Sequence, residues 1–190
     1  MEIPWSDLRG FPRPPPPPPI LNVAPLAVDA ANGVAYVGSL RTDAANRQSP
    51  LLLLDLARLE VRDVLVDDRL ATPTRLALHP SGLELYVSGE TTTSAVDTRR
   101  LEPVADLAPG RLATLSLSVS GRAGVGVDIE NTTAFLFDAQ AGETLTAPLR
   151  SDTDPTELAG VAVAVSDTLG GAFIVDRFGD AVLVLPYKGR

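Results

Sequence analysis

The chain has 190 residues, 45% of them hydrophobic and none of them cysteine. That length supports one domain with a real core, and the lack of thiols excludes disulfides, cysteine-ligated zinc and thiol chemistry. A net charge of −8, with Lys188 the single lysine, argues against nucleic acid as a partner. The longest apolar runs, such as Leu51–Leu54 and Val161–Val165, are far too short to span a bilayer. Met1–Gly10, MEIPWSDLRG, has neither a basic n-region nor an apolar h-region. A chain that starts natively at Met1 is therefore expected in the cytoplasm, and a processed precursor would instead be exported.

Residues 1–19 form a proline-rich arm. Phe11–Pro19, FPRPPPPPP, reads as polyproline II, and its run from Pro14 spans about 19 Å at about 3.1 Å per residue. Such a run is either a stiff spacer or a ligand for an aromatic-lined groove, with Arg13 beside Pro14 as in the ligands of SH3-like domains. Trp5, Leu8 and Phe11 form an apolar set ahead of it, suited either to a partner's pocket or to packing back on the domain. Trp5, Phe11, Arg13 and Pro14 are the candidate partner-binding residues.

Residues 20–190 are predicted to be one repeat domain, with copies at about 26–71, 72–111, 112–152 and 153–190. The first opens with LAVDAANGVAYVG (Leu26–Gly38), two short strands about an Asn32-Gly33 turn. After an insertion, Arg41–Pro50, comes LLLLDLARLEVRDVLV. Its propensity suits an amphipathic helix. We assign strand, turn, strand, because Asp55 then aligns with Asp97 and Asp138. The second copy, LALHPSGLELYVSGETTTSAVDTRRLEPVADLAPG (Leu76–Gly110), alternates apolar and polar residues between Gly, Pro and Ser turns. The third, Thr114–Leu145, places Ser120-Gly121 on Ser81-Gly82. The fourth, Val161–Pro186, puts Phe173 in the column of Tyr36 and Tyr86 and lacks an outer strand. Four short strands in a period of about 40 residues predict β-propeller blades. The fold class is thus all-β, a propeller or part-propeller of about four blades, each of three to four antiparallel strands.

Four blades lie at the bottom of the usual range of four to eight. The chain either closes as a four-bladed ring, or is completed by a second copy or another subunit, or is a piece of a longer protein. We expect an incomplete propeller. Ile20–Ala24, ILNVA, is strand-like and a candidate to latch the fourth copy.

The run "ALHPSG…LYVSG…AVDTRRLEPVADLAPG" and its echo "AVDAANGVAYVG" resemble the YVTN-type β-propeller repeat and, more loosely, lactonase-like seven-bladed propellers. The resemblance covers about Leu26–Pro186. It departs at Gly89, where that repeat has asparagine after "YVT", and keeps the proline of the "PDG" turn only at Pro80. The looser resemblance implies a metal held by Glu, Asn and Asp, a set that does not map onto this chain residue by residue.

Chemistry is sparse. His79 is the single histidine. Ser81 is near, but neighbours along a strand end are not expected to meet as base and nucleophile. Carboxylates suited to an oxygen-ligated calcium or magnesium are Asp29, Asp67, Asp68, Asp128, Glu130, Asp167 and Asp176. Asp128 and Glu130, with Asn131, are the closest local cluster, and a solvated turn is the competing reading. Asp55, Asp97 and Asp138 recur with the repeat and are expected to cap turns. No phosphate-binding loop is present, and Gly121–Gly126 is not a dinucleotide fingerprint, since no helix follows. Asn131-Thr132-Thr133 fits the glycosylation sequon, a pattern short enough to arise by chance. No catalytic residue is assigned. The leading expectation is a non-enzymatic interaction or scaffold module without a cofactor, bound to a protein partner or to itself. The alternatives are a metal-dependent lactonase-like hydrolase and a small-molecule-binding sensor.

Overall fold

The structure is a computed structural model that describes residues 25–39, 49–70, 72–109, 111–128, 131–138, 143–148, 162–176 and 181–186. Four antiparallel sheets follow one another along the chain. Blade 1 holds β1 (Leu26–Asp29), β2 (Val34–Gly38), β3 (Leu51–Asp55) and β4 (Glu60–Leu65). Blade 2 holds β5 (Arg75–Leu78), β6 (Glu84–Ser88), β7 (Thr92–Asp97) and β8 (Glu102–Pro109). Blade 3 holds β9 (Thr114–Leu117), β10 (Ala123–Asp128), β11 (Thr133–Asp138) and β12 (Glu143–Pro148). Among the described residues, blade 4 holds β13 (Ala162–Ser166), β14 (Gly171–Asp176) and β15 (Ala181–Pro186).

Strands pair in chain order within each blade. The innermost strand of each blade packs on that of the next: β1 on β5, β5 on β9, β9 on β13. No comparable contact joins β13 back to β1 among the described residues. The chain is thus an arc of four blades. Residues 51–65 form β3 and β4 rather than a helix, as the aspartate alignment predicts.

Turn chemistry explains the meander. Gly82 and Gly121 take φ of 71° and 75° in the first hairpins of blades 2 and 3, a conformation that glycine reaches without a Cβ penalty. In blades 1 and 4 the positive-φ glycine, Gly33 or Gly170, comes one loop position later. The turn after the third strand uses aspartate instead. Asp55 Oδ1 accepts from the N–H groups of Ala57 and Arg58, each at 2.9 Å. Asp97 Oδ1 accepts from Arg99 at 2.8 Å and Arg100 at 2.9 Å. The turn after Asp138 lies outside the described residues.

The core lies between blades. Tyr36, Leu51 and Leu53 of blade 1 meet Leu85, Val87 and Val96 of blade 2, and Leu70, from the 3-10 turn Asp68–Leu70, closes the end. Tyr86 and Ala95 meet Phe137 with Leu115 and Leu117 of blade 3. Tyr86 and Phe137 cross edge to face at 5.4 Å. Val125, Val127 and Leu136 meet Ala172 and Ile174 of blade 4. Burying both faces of a blade is what makes a thin sheet stable.

Candidate functional site

An antiparallel meander puts successive strand ends on opposite faces of the arc. The first hairpins of all four blades share one face, and neighbouring blades are pinned there. Asp29 holds its own turn, accepting from Asn32 N–H at 3.0 Å and Asn32 Nδ2 at 2.7 Å. Its carboxylate lies so near Gly82 that a Cβ there would sit 3.2 Å from Oδ2. His79 Nε2 reaches the Gly121 carbonyl at 3.1 Å. Ser120 donates from N and from Oγ to Asp167, each at 2.8 Å. Hydrogen bonds thus link blades 2 and 3 and blades 3 and 4, while the Asp29 carboxylate packs close to the Gly82 turn of blade 2. These partners stand 42 and 47 residues apart in the chain, beyond any local sequence signal.

His79 corrects one expectation. Its Nδ1 lies 2.6 Å from Ser81 Oγ, so the two side chains do meet. They meet because Nδ1 also accepts from Ser81 N–H at 3.1 Å, which folds the turn back on the ring. The Gly121 carbonyl occupies the second nitrogen, where a catalytic base would be held by its orienting group. The ring bridges two blades.

The candidate metal ligands are divided between faces. Asp29 and Asp167 belong to the first hairpins. Asp128 and Asp176 end second strands, and Asp67 and Asp68 follow a fourth strand, on the opposite face. Asp128 is buried, and its oxygens accept from Asn131 N–H at 3.0 Å and Asn131 Nδ2 at 2.7 Å, the same turn closure that Asp29 makes. Asp67 forms a two-pronged pair with Arg69, both contacts at 3.0 Å, and this hydrogen bonding holds its carboxyl below the usual range. Among the described residues no group of three or more histidines or carboxylates is placed to hold a metal ion. Glu130, Ile20–Ala24 and the arm with Trp5, Phe11, Arg13 and Pro14 lie outside the described residues. No described helix is long and apolar enough to cross a membrane.

Two surfaces stand out. The first is a cleft of about 600 Å³ between blades 1 and 2 on the hairpin face. Asp29, Arg62, Asp63, Ser81, Thr98 and Arg99 line it, with Tyr36 beneath. Burial pushes the Tyr36 hydroxyl up, opposed by a hydrogen bond with Thr98. Thr98 Oγ1 donates to the Gly82 carbonyl at 2.7 Å. Nothing local in the sequence brings Arg62 and Arg99 together, since they come from different blades.

The second surface is the free end of blade 4. No described strand pairs with the outer side of β15. The sheet face turned away from blade 3 carries the cross-strand rows Ala164–Phe173–Val184 and Ala162–Val175–Val182. Val182 is 58% exposed and Val184 51%. Both rows are apolar and uncharged.

Arc and free end together define a partial β-propeller, four blades long and open at its last blade. Two solved structures share this fold at 13% sequence identity. Hydrazine synthase of Kuenenia stuttgartiensis superposes with a TM-score of 0.60 over 93% of this chain and 53% of its own. An auxiliary nutrient binding protein of Bacteroides thetaiotaomicron gives 0.59 over 88% and 39%. The chain therefore spans about half of the first and two-fifths of the second. No protein-family model matches the chain. No curated protein matches it either.

Proposed function

We propose that the chain is a non-enzymatic β-propeller interaction module, a part-propeller completed by a protein partner. The observation that carries this reading is the free end of blade 4, where no described strand pairs with the β15 edge beside an exposed apolar face. A strand added to such an edge gains main-chain hydrogen bonds, and the apolar face adds area removed from water. We assign the repeat to the YVTN type on the Pro80-Ser81-Gly82 turn and the Tyr36 and Tyr86 column. The arm, through Trp5, Phe11, Arg13 and Pro14, is a second proposed contact. Hydrogen exchange tests the reading. The outward-facing amides of β15 should exchange fast in dilute protein and become protected when a partner binds. Full protection of β15 in a dilute monomer would sink it, because the edge would then be filled within the chain.

A second reading, a small-molecule-binding sensor, draws on the cleft. Two guanidinium groups and two carboxylates around a space of about 600 Å³ suit a small zwitterion. A thermal-shift screen of free amino acids tests it. The expected result is a rise in melting temperature that Arg99→Ala removes, and no rise with any of them would reject it.

A further inference from the structure

We infer that the partner at the free end is a second copy of this chain, docked head to tail so that blade 4 of each copy packs on blade 1 of the other. This rests on the interaction-module reading and names its partner.

The chain makes the same kind of interface three times. In each, the leading face of one blade meets the trailing face of the next. Strand registers put Tyr36, Tyr86, Val125 and Phe173 at one position of the second strand. The first three are buried against the following blade. Phe173 has the same place on blade 4, among the exposed Val175, Val182 and Val184.

The trailing faces follow the same rule. Leu76 and Leu78 of blade 2, Leu115 and Leu117 of blade 3, and Val163 and Val165 of blade 4 each pack on the preceding blade. Their counterparts on blade 1 are Leu26, 59% exposed, and Val28, 51% exposed. Those two begin the rows Leu26–Val37–Leu52–Val64 and Val28–Ala35–Leu54–Val61, which cross all four strands without a charged or polar side chain. Val61 and Val64, on the outermost strand, are exposed as well. A solvated outer face would carry polar residues in such rows.

The molecule thus carries both halves of an interface it already builds, one at each end. Two copies related by a two-fold axis satisfy all four ends at once and make a ring of eight blades, within the range that propellers adopt. The contact joins different patches, so it closes as a ring or runs on as a filament, and closure at two copies requires blade 4 of the second chain to meet blade 1 of the first.

Light scattering after size exclusion of the full chain tests this. The expected mass is twice 19.9 kDa. Val184→Arg and Val28→Arg, both at exposed positions, should each weaken association by about 30-fold or more while circular dichroism stays unchanged. An equimolar mixture of the two variants should regain dimers, through the one native interface left between them. Val182→Arg and Leu26→Arg repeat the test should either first variant fail to fold. Three results overturn the inference: a wild-type monomer at micromolar concentration, a mass that rises without limit, or dissociation by Val184→Arg but not by Val28→Arg, which would mean blade 4 pairs with blade 4. A wild-type monomer with exchanging β15 amides sinks only the choice of partner. A monomer with protected β15 sinks the interaction module as well.

Discussion

Leu59 and Leu101 hold a left-handed backbone, φ 55° and 53°, that costs a leucine about 1 kcal/mol. Each ends the turn capped by an aspartate four residues earlier, and its N–H donates to that aspartate's carbonyl at 2.8 Å. Leu59 is 82% exposed, so Leu59→Gly should raise stability by about 0.5 kcal/mol in urea unfolding. Leu101→Gly should lower it, because Leu101 packs against the core between blades 1 and 2. Thr93 offers a second gain. Its hydroxyl is fully buried with no hydrogen-bond partner among the described residues, so Thr93→Val should stabilise by about 1 kcal/mol. The caps set a pH dependence. Hydrogen bonds from backbone N–H groups hold Asp55 and Asp97 below the usual carboxylate range. A group with a depressed native value stabilises fully above its unfolded value, about 4, and loses that contribution as pH falls through the native value. The double variant Asp55→Asn, Asp97→Asn keeps an acceptor in each turn but does not titrate there. Its melting temperature should fall less steeply below pH about 4 than that of the wild type.

At the scale of elements, stability sits in the seams between sheets. Phe137 spans the seam of blades 2 and 3, edge to face with Tyr86, whose hydroxyl donates to Glu84 at 2.9 Å. Phe137→Ala should cost about 3–5 kcal/mol in urea unfolding, through lost transfer energy and an unfilled cavity. The same seam has a polar tie on the opposite face. Ser88 Oγ accepts from Leu112 N–H at 2.9 Å, and Thr74 Oγ1 donates to the Ser88 carbonyl at 3.1 Å, all three residues being buried. On the hairpin face, a side chain at Gly121 would drive into the His79 ring and strain a positive φ. Gly121→Ala should therefore release His79 and speed exchange of the β5–β6 hairpin amides. A hairpin that kept its wild-type protection would remove His79 from the seam.

Across the whole molecule, the arc is unequal at its ends. Three seams bury their faces, and the fourth leading face meets solvent at Val175, Val182 and Val184, around a half-buried Phe173. An open edge of this composition invites pairing with another chain. The −8 charge opposes close approach of two copies at low salt, and screening reduces that repulsion. Self-association of the purified chain should thus strengthen between about 20 and 300 mM salt, read as a falling midpoint in a dilution series. A midpoint that does not move with salt would mean that charge plays no part in holding copies apart.

The sequence by itself determined the strands, their turns and the blade count. These follow from period-two alternation, turn glycines and aspartates that recur about every 40 residues, all of them local signals. The same locality resolved residues 51–65 as β3 and β4, because Asp55 caps a turn as Asp97 does. Only the tertiary structure decided which residues meet across seams, His79 on Gly121 and Ser120 on Asp167, and that Arg62 and Arg99 line one cleft. It also separated Asp128 from Asp29 and Asp167, since alternate strand ends fall on opposite faces. Above all it showed which apolar columns are covered. Tyr36, Tyr86 and Phe173 look equivalent in sequence, and only packing against a following blade distinguishes the buried Tyr36 and Tyr86 from the half-buried Phe173.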